Sequence, residues 1–387
     1  MTEIRVLDET QYRAHHTLFR GTLHYAPAPD ELWEVVRKSY EPGRALGAFA
    51  DGDLVGAVQT FPSSLVVPGG AVVPHAAVSR VGVRADHTRR GVLSALKRAQ
   101  LEGLSEPVAT LRASEGLIYG RYGYGVATRG RTVRIQRARA SVPGDPVGRV
   151  RLIDRDGAAK LLPEIYDRIG LTRPGAIGRW AGWWEMNIRG AKPDEQFAYA
   201  VHSGPDGDDG FVIYKVEHKE NSKLLQVYDL IAPTSGAWAD LWRFLVGVDL
   251  VDEIEAWLRP LDEPLEFLFA EPRTARTTEV EDETWLRLVD VPRMLAERTY
   301  GDGDPVVLGV TDRLIPANAG SYLITPDGAT RTDLSPDIEL TVDLLGAAYL
   351  GGVTFTQLAA ANRISGATAN ADRLFAISQS PWCGTYF

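Results

Sequence analysis

The fold is decided by the segment Val81-Gly82-Val83-Arg84-Ala85-Asp86-His87-Thr88-Arg89-Arg90-Gly91-Val92-Leu93. It predicts a strand from Ala76 to Val83, a basic turn and then a helix from Leu93 to Leu104. The first N–H groups of a helix lack partners within it, and the helix dipole is positive there. A cradle for a phosphate or pyrophosphate is therefore predicted at the two arginines and the glycine of the turn, Arg89, Arg90 and Gly91.

The composition is that of a globular protein, with 387 residues, 44% hydrophobic and 24% charged. No apolar run approaches the roughly 20 residues that span a bilayer. Residues Met1 to Val6 contain no apolar signal segment, so we expect a cytoplasmic protein without a membrane span. The single cysteine, Cys383, excludes an internal disulfide or a cysteine metal cluster. The net charge of −9 argues against nucleic acid as the main partner and suits either cationic substrates or solubility alone.

The first part of the chain predicts an α+β unit. Residues Glu31 to Arg37 have the apolar spacing of a helix. Strands are predicted at Ala45 to Ala50 and Leu54 to Thr60, joined by a hairpin turn, and again at Val108 to Leu111. A segment rich in proline and glycine, from Ala140 to Pro146, suits a linker to the next unit.

A second unit repeats the order of strand, turn, strand, strand, helix and strand. Its predicted elements are strands at Phe197–Val201, Phe211–Glu217, Leu224–Ile231 and Glu253–Trp257, and a helix at Ala237–Val248. The turn Ala232-Pro233-Thr234-Ser235-Gly236 holds no basic residue, so it is a poor pyrophosphate site. We therefore expect a duplicated domain in which only the first copy binds the cofactor. The alternative is a generic α+β domain with a coincidental order.

The last part of the chain, from about Trp285, predicts a small α/β layer. Its predicted strands are Val306–Val310, Ser321–Thr325 and Asp337–Val342, and its predicted helices are Asp343–Tyr349 and Thr356–Asn362. No chemistry of its own is evident in this layer.

These segments together resemble a known family. Val81 to Leu93 resembles motif A of the GNAT superfamily of N-acetyltransferases, and the whole chain resembles the enhanced intracellular survival (Eis) acetyltransferases of actinobacteria. The supporting runs are Ser114 to Gly125, Trp285-Leu286-Arg287, Tyr349-Leu350-Gly351-Gly352, Ala359 to Arg363 and the terminal Tyr386-Phe387. The resemblance extends over essentially all of the chain.

The resemblance implies three domains. They are an acetyl-CoA-binding GNAT domain over residues 1–142, a second GNAT-like domain without a cofactor site over 143–283, and a C-terminal domain of the sterol-carrier-protein fold over 284–387. The expected fold class is therefore α+β, with tandem GNAT folds and the carrier-like domain. A homohexamer and acetyl-CoA as the cosubstrate are also implied. No metal is expected, because the seven histidines show no metal-ligand spacing.

Cofactor contacts are implied for residues at motif A and beyond it. The backbone of Val81 and Val83 would pair with the pantetheine arm like an added strand. Ser114 is a further candidate for contact with the cofactor or with the tyrosine, and a purely structural role is its alternative. The pyrophosphate would face the N–H groups near Arg89, Arg90, Gly91 and Val92. The usual pattern has Arg or Gln where this sequence has Thr88, and a small residue where it has Leu93.

The resemblance also implies two catalytic groups. Tyr119 is the candidate general acid, because a phenol with a pKa of about 10 stays protonated at neutral pH. Tyr122 and Tyr124 are competitors by sequence, with packing as their more ordinary role. The C-terminal carboxylate, which belongs to Phe387, is the candidate general base. The apolar end of the chain independently favours burial of this tail, although an aromatic tail that only anchors the last domain is the alternative.

The acceptor pocket is expected to involve Trp33, Trp183, Glu185 and Arg80. Aromatic faces and a carboxylate suit a polyamine, but a Trp-Trp pair such as Trp183-Trp184 often only packs. Family members often have an aromatic residue where this chain has Arg80, and a cation there would repel positive substrates. We predict acetyl transfer from acetyl-CoA to a primary amine, on an aminoglycoside-like polycation or a lysine side chain. The alternative is a lipid or small-ligand binding protein with a vestigial acetyltransferase module.

Overall fold

The computed structural model describes residues 2–189, 196–220, 222–366 and 368–387. The strands in this part of the chain are β1 (Glu3–Val6), β2 (Ala45–Ala50), β3 (Asp53–Val66), β4 (Val72–Val83), β5 (Val108–Leu111), β6 (Gly125–Val126), β7 (Arg129–Gln136), β8 (Arg149–Ile153), β9 (Phe197–Gly204), β10 (Gly207–Lys219), β11 (Ser222–Ile231), β12 (Glu253–Pro260), β13 (Ala275–Asp282), β14 (Trp285–Leu288), β15 (Val306–Thr311), β16 (Gly320–Thr325), β17 (Gly328–Thr332) and β18 (Ile338–Thr341). The α-helices are α1 (Tyr12–Thr22), α2 (Asp30–Val36), α3 (Val92–Gly103), α4 (Gly116–Tyr119), α5 (Arg155–Ile169), α6 (Ala181–Trp184), α7 (Ser235–Val246), α8 (Leu265–Leu268), α9 (Val291–Glu297), α10 (Val342–Tyr349), α11 (Phe355–Ala360) and α12 (Thr368–Phe375).

The first sheet has seven strands in the order β1-β2-β3-β4-β5-β14-β6. Strands β4 and β5 are parallel and pair from His75 with Val108 to Val78 with Leu111. Beyond Val78, β4 continues to Val83 alongside β3 only. The sheet is therefore open on one side of β4, in front of the basic turn.

Helix α3 begins at this turn, as the sequence predicts, and packs across the first sheet. Gly91 precedes the helix with a φ of 83°, in the left-handed region that favours glycine. The helix lies close to β3, because a Cβ on Gly56 would stand 2.8 Å from Leu96 Cδ1. Val92 and Leu96 are buried against that sheet, so the position of the turn is fixed by the core beneath it.

The second sheet also has seven strands, in the order β13-β7-β12-β11-β10-β9-β8. Its parallel pair, β11 and β12, is joined through α7, just as β4 and β5 are joined through α3. The strand and helix order predicted for the second unit is confirmed, with bounds that shift by a few residues. Helix α5, which packs on β9 and β10, has no counterpart in the sequence prediction.

Two strands cross between the sheets. Strand β7 belongs to the second sheet, where it pairs with β12 and β13. Strand β14 belongs to the first sheet, where it lies between β5 and β6. The domain ranges 1–142, 143–283 and 284–387 stay a prediction, and the two sheets do not follow those ranges strand for strand.

A four-stranded sheet, β17-β16-β15-β18, forms the last layer. It contains the three strands predicted there, together with β17, which the sequence analysis does not predict. Helix α10 packs between this sheet and the first one, with contacts to β14, β6 and β18. One apolar core joins the two layers, since Leu286 of β14 and Leu345 of α10 are both fully buried in it.

Candidate active site

A cavity of about 630 Å³ lies where β4 and β5 separate. Its walls come from α1, β4, the segment after β5, the end of β12, the segment from Val280 to Glu283, and the C-terminal tail. It brings together five of the residues predicted from sequence, although they come from distant parts of the chain: Arg80, Val81, Ser114, Tyr119 and Phe387.

The basic turn follows strand β4, which contributes to the wall of this cavity. Arg89 and Arg90 are exposed, and α3 begins with no side-chain cap on its first N–H groups. The equivalent helix of the second unit, α7, is capped, because Ala237 N donates to Thr234 Oγ1 at 3.2 Å. An anion site at a helix start therefore fits the first unit and not the second.

Tyr119 lies in the wall of the cavity at the end of α4. Burial raises the pKa of its phenol to about 12, with smaller contributions from Glu115 and Tyr122. The two competing tyrosines face other partners: Tyr122 Oη shares a hydrogen bond with Ser94 Oγ at 3.1 Å, and Tyr124 Oη accepts one from a lysine. Two tyrosines line the cavity, and Tyr119 is the buried one, whereas Tyr386 is exposed.

The C-terminal tail is bound by a buried carboxylate. Glu283, which is 1% exposed, accepts hydrogen bonds from Cys383 N at 3.0 Å and from Gly384 N at 2.8 Å. Arg112 pairs with Glu283 at 3.1 Å and donates to Thr385 O at 2.8 Å. The ion pair of Arg112 and Glu283 thus binds both N–H groups and a carbonyl of the tail backbone.

A second ion pair grips the tail from the other unit. Arg179 pairs with Asp229 at 2.5 Å, and its Nε donates to Thr385 Oγ1 at 3.0 Å. Trp183 Nε1 donates to Tyr386 O at 2.6 Å. These contacts, together with those of Glu283, lead the chain into the cavity, where Phe387 lies in the wall.

The remaining predicted acceptor residues lie outside the cavity lining. Trp33 is half-buried against His16 and Tyr40, with ring centroids 5.8 and 6.0 Å apart. Trp183 supports the tail, and Glu185 forms an ion pair with Lys38 at 3.7 Å. Direct contact of these three residues with an acceptor stays a prediction.

The sequence pattern does not reveal the residues that hold the tail, which are Glu283, Arg112 and Arg179. Their partners in the tail are at least 100 positions away in the chain, so no local pattern could have revealed them. The apolar character of the last seven residues is the one available indication, since it predicts burial of the tail but not its partners.

Across residues 2–189, 196–220, 222–366 and 368–387, no three His, Cys, Asp or Glu side chains converge in a way that could hold a metal ion. Over the same residues, each helix is either too short or too polar to cross a lipid bilayer.

The chain matches known protein families over three ranges that correspond to the layers of the structure. Residues 3–127 and residues 175–288 each match a family described as an acetyltransferase (GNAT) domain. Residues 291–384 match a sterol carrier protein domain. The fold and the site therefore define a GNAT N-acetyltransferase with a C-terminal sterol-carrier-like domain, and the predicted tandem architecture is confirmed.

Similar proteins identify the family within this class. An uncharacterized N-acetyltransferase of Streptomyces avermitilis is 37% identical over 94% of this chain and 93% of its own length. The N-acetyltransferase Eis of Mycobacterium tuberculosis is 35% identical over 82% of this chain and 81% of its own length. The crystal structure of Eis1 from Mycobacterium abscessus is 40% identical, covers both chains completely and has a TM-score of 0.90. The chain belongs to the Eis family of N-acetyltransferases.

Proposed function

We propose that the protein moves the acetyl group of acetyl-CoA to a primary amine, by direct attack within a ternary complex. One observation carries this proposal: a single cavity joins the open edge of β4, the buried phenol of Tyr119 and the C-terminal residue Phe387. The thioester, a proton donor for its leaving sulfur and a carboxylate for the attacking amine would then meet in one cavity.

The residues of the first unit fit acetyl-CoA. The uncapped start of α3, with exposed Arg89 and Arg90, suits the pyrophosphate. The unpaired edge of β4 at Val81 and Val83 suits the amides of the pantetheine arm. Acetyl-CoA supplies the acetyl group in the activated form of a thioester. Ser114, which is exposed at the cavity, is a further proposed contact.

Tyr119 is the proposed general acid. Because burial raises the pKa of its phenol to about 12, it holds its proton through the neutral range and can give it to the leaving sulfur. Cys383 does not suit an acetyl-enzyme route, because burial raises the pKa of its thiol to about 12 and the thiolate is the nucleophilic form. This supports direct transfer.

The α-carboxylate of Phe387 is the proposed acceptor of the proton from the amine. An α-carboxylate has a pKa of about 3.5 and is a weak base, so its main effect would be to orient a cationic amine and to pass its proton on through water. The two ion pairs on Thr385 support this role, because they fix the chain two residues before its end.

The proposed acceptor is a primary amine of a small molecule or of a lysine side chain. The aminoglycoside-like polycation is an acceptor class suggested by the family resemblance alone, as is a homohexameric assembly. A cytoplasmic location stays a prediction from the sequence. Light scattering on the purified protein would test the assembly.

The experiment is a thiol-release assay with acetyl-CoA and a panel of diamines, aminoglycosides, amino acids and lysine peptides. We expect amine-dependent release of CoA, with the acetylated amine identified by mass spectrometry. A variant with two residues added after Phe387 should bind acetyl-CoA but lose turnover. Full turnover in that variant would remove the carboxylate from the mechanism. Lipid binding with no CoA release from any amine would instead favour a carrier function.

A further inference from the structure

A buried arginine stands in the wall of the cavity. Arg80 is 5% exposed, and two residues of β4, Arg80 and Val81, stand opposite the single residue Val58 of β3. This bulge puts Arg80 in the left-handed region, with a φ of 52°. Such a conformation is costly for a residue with a Cβ and is retained mostly at functional sites.

The partners of the Arg80 guanidinium are neutral. Its Nη1 donates to Gln59 Oε1 at 2.7 Å, and its Nη2 donates to Ser39 Oγ at 2.9 Å. Its Nη2 also lies 3.3 Å from Met186 Sδ. The group lies over the Tyr40 ring at 4.8 Å and over the Phe61 ring at 5.3 Å.

No carboxylate in the described part of the chain forms an ion pair with Arg80. Burial lowers the pKa of the guanidinium from its ordinary value, although an arginine stays charged at neutral pH. A buried charge without a counter-charge is costly, and it projects a positive potential into the cavity that it lines.

Carboxylates also lie in the wall of the cavity. Glu281 and Asp282 are among the lining residues, and Glu283 is committed to Arg112 and to the tail. Of the other two lining arginines, Arg112 pairs with Glu283, and Arg129 stands opposite Asp282 in the register of β7 and β13. A series of rings leads from Arg80 to the tail, since Phe61 stacks on Trp180 at 4.5 Å and Trp180 meets the Phe387 ring at 6.3 Å. Among the lining residues that the structure describes, Arg80 is therefore the arginine whose partners are all neutral.

We propose that Arg80 is a specificity-determining residue that selects small acceptors carrying both a primary amine and an anionic group, such as ω-amino acids. The ammonium end would face the tail carboxylate, and the anionic end would face Arg80. A polycation would place its second ammonium against the buried guanidinium. This acceptor class presupposes the transferase function proposed above.

The test compares three matched acceptor series, each with three to six carbons: ω-amino acids, n-alkylamines and diamines. We expect the wild-type kcat/KM for the ω-amino acids to exceed that for the diamines at least tenfold. Arg80→Leu should abolish this preference, and Arg80→Lys should retain part of it. Arg129→Leu removes an exposed positive charge from the same cavity and should leave the preference unchanged within threefold.

The outcomes separate this proposal from the broader one. Turnover of all three series without a preference for the anionic acceptors, or a preference that survives in Arg80→Leu, would overturn the role of Arg80 and leave the transferase function intact. No CoA release with any amine would overturn both. If Arg80→Leu does not fold, inhibition of the wild type decides: n-alkanoates should compete with the amine, and n-alkanols of equal length should not.

Discussion

The hydrogen bonds between Glu283 and the C-terminal tail can be tested by a single substitution. The variant Glu283→Gln keeps the size of the side chain and removes its charge. In the protein, one carboxylate oxygen accepts Gly384 N and Arg112, and the other accepts Cys383 N and the Thr128 hydroxyl. Whichever oxygen becomes the amide NH2 will therefore face donors that it cannot pair with.

The magnitude follows from these contacts. Each hydrogen bond to a buried charged group contributes about 1.5–3 kcal/mol. The variant loses one strong backbone contact and weakens the ion pair with Arg112, so the docked tail should lose roughly 2–3 kcal/mol. Because about 1.4 kcal/mol is a factor of ten, kcat should fall by at most roughly 30- to 150-fold.

The assay measures kcat by thiol release, and release of the C-terminal residues by carboxypeptidase as an independent report of tail docking. Glu279→Gln is the matched control. It carries the same substitution at an exposed position of β13 that does not line the cavity, and we expect less than a twofold change. A kcat within twofold of wild type in Glu283→Gln, with the tail released faster by the protease, would refute a catalytic role for the docked tail.

Three further predictions concern the first unit. Burial, with Arg287 nearby, lowers the pKa of Lys97 to about 7, so above that pH the unfolded chain binds more protons than the folded protein. Relative to Lys97→Met, the wild type should therefore gain roughly 2 kcal/mol of unfolding free energy between about pH 7 and about pH 9, measured by urea titration. A difference between the two proteins that does not change with pH would contradict a buried neutral lysine. Tyr119→Phe should lower kcat about 100-fold with little change in acetyl-CoA affinity. Because Tyr119 has a pKa of about 12 in the wild type, the wild-type kcat should not fall through ionisation of this phenol below about pH 10. A loss of kcat at lower pH that is absent in Tyr119→Phe would contradict the proposal. Gly91→Val forces a side chain into a φ of 83° and should raise the KM for acetyl-CoA about tenfold; Gly43→Val, with the same φ, is the control, and equal effects in both would argue against a cofactor role for the turn.

Local patterns in the sequence predict the parts of the fold that depend on neighbouring residues. The strand, glycine turn and helix around Gly91 follow from apolar spacing and backbone preference, and the structure confirms them. The repeated order of the second unit is predicted for the same reason. The contrast between a basic turn at α3 and an uncharged one at α7 is also visible in the sequence, although the cap from Thr234 that fills the second is not.

Contacts across the chain could not be predicted in this way. Neither β7 nor β14 is predicted as a strand from the sequence, and nothing local tells which sheet each of them joins. The neutral surroundings of Arg80 are equally hidden, because Gln59, Ser39 and Met186 meet it from three separate elements. The tail could be recognised as apolar, whereas the two ion pairs that hold it become visible only in three dimensions.

The crossing of β14 into the first sheet bears on how the polypeptide matures during synthesis. Strands β5 and β6 are translated early, but the segment between them in space emerges from the ribosome only after the whole second unit. Until β14 is synthesised, the first sheet lacks the strand between β5 and β6. Its exposed strand edges can then pair with other chains. A truncated product that stops before Trp285 would lack that strand permanently, so it should be a client of chaperones and proteases rather than a small working enzyme.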